Sequence, residues 1–323
     1  MIDRHVGPEA AWVARIRSFN RSWTETLGLL ERGLLDTPHR LTEARVLFEL
    51  GQRDGAVERA GLQERMGIDA SFLTRVLARL ERQGLVTSAP SPHDGRARVI
   101  GLTDDGRAAA TQLDERSRHQ IDDLLTEVSP GQRADLVESL GRAQHLIRPG
   151  GADRSVTIRP LGQPGDLGWV IGRHGAVYAD EFGWNSDLEA LVARIVADYH
   201  ADRVAGREQA WVAEVGGVRA GCVFCCRRDD DTAQLRILLV ERWARGLSLG
   251  RRLVDECLAF ATAAGYRSIM LWTNDVLVAA RRIYQAAGFR LMEEEAHHSF
   301  GHDLNGQIWT LDLPAPADHG APR

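Results

Sequence analysis

The run Arg245-Gly246-Leu247-Ser248-Leu249-Gly250 has the residue types and order of an anion-binding turn. A mainly apolar run at 235–240 precedes it and an amphipathic stretch at 249–264 follows, which predicts strand, turn and helix. The free amides of a helix's first turn point outward, at the positive end of the helix dipole, so such a turn suits a pyrophosphate. Arg251 and Arg252 add charge there. A second constellation lies upstream. A helix over 70–83 puts Leu73, Val76, Leu77 and Leu80 on one face at i, i+3, i+4 and i+7. Its other face carries Ser71, Thr74, Arg75, Arg79 and Arg82, hydroxyls and guanidinium groups suited to base edges and phosphates in a DNA major groove. Arg96 and Arg98 follow at the tip of an expected hairpin, where an arginine can enter a minor groove. The bland alternative is a solvated helix face, because all 40 basic residues are arginine and lysine is absent. The hairpin directly after the helix favours DNA.

The elements that must carry these residues fall into two sets. In the first, helices are expected at 8–36, 42–51, 61–66, 70–83, 103–126 and 129–147, with strands at 86–89 and 97–101 around Pro90-Ser91-Pro92-His93-Asp94-Gly95. Residues 148–153 break the periodicity and read as a linker. Beyond them the pattern is mixed. Strands are expected at 156–159, 210–215, 219–227, 235–240, 268–273, 289–295 and 307–313, and helices at 166–182, 187–200, 249–264 and 276–287. Gly216-Gly217 is a hairpin signal. The Pro- and Ala-rich tail after 314 is expected to be disordered.

A chain of 323 residues has room for two domains. Hydrophobic content of 44% and charged content of 26% are those of a soluble globular protein. No apolar run reaches the ~18–20 residues that span a bilayer, and Met1-Ile2-Asp3-Arg4 opens no secretory signal, so the expectation is a cytoplasmic protein without a membrane partner. A net charge of −5 argues against a general cationic coat but leaves room for a local basic face. Cys222, Cys225 and Cys226 sit on an expected alternating strand, and Cys257 stands apart. Zinc sites show two separated ligand pairs, so these are read as small core residues and no metal is expected.

Residues 41–107 resemble the MarR family of winged-helix regulators through "LTEARVLFEL", "LTRVLARLERQGLV" and "SPHDGRARVIGLTDDGRA". The resemblance implies a homodimer on double-stranded DNA, with residues 8–36 and 108–147 forming the dimer interface. It also implies a wing whose Asp-x-Arg is matched by Asp94 and Arg96.

Residues 156–313 resemble the GNAT acetyltransferase superfamily through "LRILLVERWARGLSLGRRLVDECL" and "IYQAAGFRL". That resemblance implies acetyl-CoA as co-substrate. Its pyrophosphate would lie on the amides of Arg245, Gly246, Leu247, Ser248, Leu249, Gly250 and Arg251, and its pantetheine arm along the strand of Leu238 and Val240. The turn departs from the family pattern at Ser248, where glycine is usual. Serine adds a β-carbon near the phosphate but also suits a helix start. Transfer to an amine needs a neutral amine and a proton for the departing thiolate. Tyr284 stands where the superfamily keeps its general acid; the alternative is a core aromatic. Asn274 can bind an amide or a water. Glu241 can take a proton through water, or can be a salt bridge to Arg242 or Arg245; Glu214 is a second base candidate. His297, His298 and His302, expected near the loop before the last strand, either line a pocket or form a polar loop.

The fold expected is a mainly-α winged helix-turn-helix domain over 1–148, a linker at 149–155, and an α+β GNAT domain with a mixed central sheet over 156–314. The function expected is a DNA-binding transcriptional regulator that is also an N-acetyltransferase acting on a small amine, or on a protein amine outside this lysine-free chain. One alternative keeps the second domain as a non-catalytic acyl-CoA sensor. Another keeps the winged helix for dimerisation alone.

Overall fold

The computed structural model describes residues 8–31, 33–53, 55–92, 97–148 and 153–314. The chain divides into two compact units, Met1–Arg133 and Ala134–Arg323. In the first, α1 (Pro8–Thr26), α2 (Leu41–Gly51), β1 (Val57–Glu58), α3 (Arg59–Met66), α4 (Ala70–Arg82), β2 (Val86–Pro90), β3 (Arg98–Leu102) and α5 (Asp104–Thr126) follow in order. The helix expected over 8–36 stops at Thr26. Gly28 takes a positive φ just beyond it, and Leu34–Asp36 form a separate 3-10 turn. The starts of α4 and α5 are set by their caps. Asp69 accepts from the amides of Ser71 and Phe72 at 2.9 and 3.0 Å, and Thr103 accepts from Gly106 at 3.0 Å. The apolar face of α4 buries Leu73, Val76, Leu77 and Leu80 against Leu47, Leu50, Leu62 and Ile100. An antiparallel sheet in the order β1-β3-β2 completes the unit. Asp94 and Arg96 lie outside the described residues, as do most of the linker and the tail from 315.

The division between the units falls inside α6 (Pro130–Ile147), earlier than the linker read from the sequence. From Ala134 onward this helix packs within the second unit. Arg219 binds Glu138, the His145 ring stacks on Trp243 with centroids 4.2 Å apart, and Gly141 lies where a side chain would strike Val218. These contacts place its length beside the strands rather than with α5.

The second unit continues with β4 (Val156–Pro160), α7 (Asp166–Phe182), α8 (Ser186–Asp202), β5 (Gln209–Val215), β6 (Val218–Arg227), β7 (Thr232–Val240), α9 (Leu249–Ala263), β8 (Ser268–Asn274), α10 (Val278–Ala286), β9 (Arg290–Ser299) and β10 (His302–Asp312). A seven-stranded mixed sheet runs in the order β4-β5-β6-β7-β8-β10-β9, antiparallel except for β7 with β8. One core lies under α9 and α10, the other under α7 and α8. The strand expected to alternate, β6, is buried along almost its whole length because both faces are covered. Cys225 and Cys257 enter one core, and Cys222 and Cys226 the other. Burial raises the thiols of Cys222, Cys226 and Cys257. The histidines expected near a loop stand on strands: His297 and His298 on β9, His302 on β10, with Phe300 and Gly301 at positive φ in the turn.

Candidate functional site

The parallel pairing of β7 with β8 lasts only from Thr232 opposite Ser268 to Leu235 opposite Leu271. Beyond Leu235 the two strands part. On its other side β7 shifts register against β6 at this same place, between Leu239 opposite Cys222 and Arg236 opposite Phe224. Ile237 sits there with φ +53. A β-branched residue at positive φ is strained, by roughly 1–3 kcal/mol, and such strain gathers where a backbone is bent for a purpose. The bend frees one edge of β7 from Arg236 onward. Free amides and carbonyls on a strand edge can pair with an extended, amide-bearing arm.

Two cavities open in this gap and share Tyr178, Leu238, Leu277 and Ala280. One, of about 220 Å³, runs past Leu238, Leu239 and Val240 to Arg245 and Gly250. At that end the chain turns into α9. Gly246 has φ +82 and Ser248 φ +58, with no capping bond from the serine side chain. Ser248 thus holds the left-handed conformation that its glycine counterpart would take freely. The first amide bonded into this helix is that of Arg252, to the Ser248 carbonyl, so the amides of Leu249, Gly250 and Arg251 come before its ladder. A β-carbon on Gly250 would come within 2.7 Å of Ile283 Cδ1, so this glycine lets α9 approach α10. Arg245 binds Glu181 at 2.7 Å and Arg251 binds Asp255 at 2.7 Å, which places both guanidinium groups beside carboxylates.

The other cavity, of about 150 Å³, lies toward α7 and α8 and contains Tyr284 and Asn274. Tyr284 is 5% exposed, and burial, with Tyr178 and Cys257 nearby, raises its phenol well above the ordinary range. Asn274 Oδ1 lies 2.9 Å from His297 Nε2, whose Nδ1 lies 2.9 Å from Ser299 Oγ. His298 pairs with Asp303, and His302 Nε2 lies 3.1 Å from the Gly183 carbonyl. Among the described residues no group of three His, Cys, Asp or Glu could hold a metal ion.

The two carboxylates considered as bases are placed elsewhere. Glu241 is held by Arg173 through both oxygens, one bond measuring 3.0 Å, and not by Arg242 or Arg245. Glu214 accepts from Arg159 Nε at 2.7 Å. Neither lines either cavity. The chamber instead holds a residue that the sequence reading passed over. His174 on α7 is buried, its Nδ1 2.8 Å from the Val170 carbonyl and its Nε2 without a partner among the described residues. Burial lowers its pKa to about 4, which keeps the ring neutral. In the sequence it is one polar residue of an amphipathic helix, with no motif around it.

In the first unit, the polar face of α4 is divided by its contacts. Ser71 and Arg75 are exposed, the Arg75 guanidinium lying 5.7 Å from the Phe72 ring centre. Thr74 donates to the Ala70 carbonyl and is held by Arg59. Arg79 binds Glu43 at 2.9 Å, and Glu43 is 3% exposed. Arg98 clasps Ser88 through Nε and Nη2, both at 2.8 Å, and so ties β3 to β2.

Residues 32–97 match the MarR family, and residues 177–289 match the acetyltransferase (GNAT) family. The chain is 30% identical over 91 residues to an uncharacterised HTH-type transcriptional regulator of Bacillus subtilis, over 28% of this chain and 56% of that protein. It is 34% identical over 85 residues to the N-acetylaspartate synthetase of Danio rerio, over 26% of this chain and 30% of that protein. The chain thus spans about half the length of the first relative and under a third of the second. Among solved structures, an acetyltransferase of Salmonella typhimurium with acetyl-CoA aligns at 19% identity and TM-score 0.42, covering 52% of this chain and 98% of that one.

Proposed function

From a chain that joins a MarR-family winged helix-turn-helix region to a GNAT acetyltransferase domain with a mixed sheet, we propose a DNA-binding regulator that transfers the acetyl group of acetyl-CoA to a small amine. The observation that carries the enzymatic half is the pair of adjoining cavities in the opened sheet, one reaching the turn at Arg245–Gly250 and the other Tyr284, with Tyr178, Leu238, Leu277 and Ala280 lining both. The amides of residues 246–251 receive the pyrophosphate. The free edge of β7, with Leu238 and Val240, takes the pantetheine arm, which brings the thioester to the junction of the two cavities. The amine enters the chamber of Tyr284 and Asn274. Its neutral nitrogen bonds to the acetyl carbon, the C–S bond breaks, Tyr284 gives its proton to the departing sulfur, and the proton shed by nitrogen restores the phenol, directly or through solvent. A relative named for N-acetylaspartate synthesis supports an amine acceptor. Glu241, bound to Arg173, fastens α7 to the end of β7 rather than serving as base.

On the DNA side, the exposed Arg75 and Ser71 of α4, whose side chains make no hydrogen bond among the described residues, read bases, while Arg79 and Arg98 keep the reader in shape. The exposed Trp12, Ile16 and Phe19 of α1, at i, i+4 and i+7, supply an apolar stripe for a homodimer. The compartment fitting both activities is the cytoplasm; no helix among the described residues is long and apolar enough to cross a membrane.

Calorimetry of the full chain with acetyl-CoA tests the phosphate turn. Wild type should bind and Gly250→Trp should not; equal heats remove the assignment. Binding without thiol release for any amine would move the reading to an acyl-CoA sensor.

A further inference from the structure

The chamber beside Tyr284 has an uneven chemistry. Tyr178, Trp184, Leu188, Val192 and Phe300 give it an aromatic and aliphatic wall. None of the residues that line it is an aspartate or glutamate. The one arginine among the residues that line it is Arg236, on β7 at the bend. Arg236 is half-buried, and its side chain makes no hydrogen bond or ion pair among the described residues. Among the other half-buried arginines of this unit, Arg159, Arg173 and Arg219 are each tied to a carboxylate and Arg207 and Arg281 to backbone carbonyls; Arg142 on α6, away from the chamber, shares the lack of a side-chain partner among the described residues. A guanidinium drawn partly out of water without a counter-charge is costly, and its fork matches a carboxylate in two parallel bonds. A polyamine would meet this cation with no acid to offset it.

The second polar group is His174. With its Nδ1 proton committed to the Val170 carbonyl, its Nε2 presents a buried lone pair with no partner among the described residues. That atom can only accept, and what it lacks is an N–H or O–H.

We infer that the acceptor is an amine that also carries a carboxylate on an apolar or aromatic body: a free apolar amino acid or a close analogue, its carboxylate on Arg236 and its amine N–H on His174 Nε2. This rests on the acyl-transfer reading above and narrows it. The neutral amine bonds to the acetyl carbon, the C–S bond breaks, and the proton lost by nitrogen balances the one gained by the leaving thiol. The apolar wall takes the side chain.

The test is thiol release by the full-length protein with acetyl-CoA and matched pairs: phenylalanine against phenethylamine, tryptophan against tryptamine, leucine against isoamylamine. The carboxylate-bearing member of at least one pair should show a kcat/KM at least ~10-fold above its partner, as a bidentate charged contact requires. In Arg236→Gln that ratio should collapse toward one, and Arg236→Lys, which keeps the charge, should retain part of it. Equal or better use of the decarboxylated amines overturns the inference, as does a ratio that survives Arg236→Gln or an absence of turnover with every pair. Acetyl-CoA binding, followed by calorimetry on the wild type, separates the two levels. If acetyl-CoA binds and the acids are not preferred, the acceptor class alone is wrong. If it does not bind, the acyl-transfer reading falls and the inference falls with it.

Discussion

Tyr284 is a buried phenol whose ordinary value burial raises, so it stays protonated through alkaline conditions. A group in that state can donate a proton and cannot serve as a base near neutrality. Tyr284→Phe should therefore cut turnover by roughly 10²-fold while acetyl-CoA binding barely changes, because its proton moves only as the thiolate leaves. Stopped assays of thiol release check this, and an unchanged rate removes the role. Ser248 carries a different cost. At φ +58 it pays for a β-carbon that glycine lacks, so Ser248→Gly should raise stability by up to about 1 kcal/mol in urea titrations and leave acetyl-CoA affinity equal or higher. A loss of affinity would instead show that the serine hydroxyl holds a phosphate. His174 was legible only as a helical residue. Its role depends on burial and on which nitrogen the Val170 carbonyl occupies, and neither is written in the residues around it.

Helix α4 shows how an element divides its labour. Five residues expected on the DNA-facing side lie on α4, and only Ser71 and Arg75 are exposed with no side-chain hydrogen bond among the described residues; Thr74 and Arg79 are used in packing, and the exposed Arg82 donates to the Ala78 carbonyl. Arg79→Ala should cost roughly 1–3 kcal/mol of the first unit's stability by leaving buried Glu43 uncompensated. Arg75→Ala should leave stability within experimental error and lose discrimination between operator and random duplex, measured by fluorescence anisotropy at physiological salt. A reversal of these two outcomes would exchange the roles. Helix α7 has its own signature in acid. The His174 pKa is lowered from 6.5 to about 4, so between those values the unfolded chain binds the proton and the folded chain does not. Stability from this residue is complete above pH 6.5 and falls as the pH drops toward 4, by about 3 kcal/mol in all. Melting curves across that window should flatten in His174→Gln.

At the scale of the molecule, α6 belongs with the second unit from Ala134 onward. Its Glu138 meets Arg219, which also reaches the buried Asp166, and its His145 covers Trp243. Burial works against ionised Asp166, but Arg159 and the amides of Gly162 and Gln163 hold its carboxyl below the usual range. A fragment starting at 154 strips α6 from this network, and one starting at Ala134 keeps it. The longer fragment should melt several degrees higher, a shift that differential scanning calorimetry reads directly. Equal melting points would mean that α6 adds nothing to the second unit.

Periodicity and caps determined most of what the chain makes. The spacing of Leu73, Val76, Leu77 and Leu80, the caps Asp69 and Thr103, and the glycine-bearing run at 245–250 place α4, α5 and the turn before α9 within a residue or two of where they stand. These are local signals, and local geometry answers to them. Tertiary structure alone decided the rest. The bend at Ile237 that opens the sheet lies in a run that is apolar apart from Arg236 and carries no turn residue. The pairing of Glu241 with Arg173 joins residues far apart in the chain, and of the hairpin of β9 and β10 only the polar stretch 296–306, where the two strands extend beyond the expected bounds, reads as loop. The chamber itself is enclosed by α7, α8, β7, β8 and α10, and which side chains meet there depends on packing between elements that no local pattern encodes.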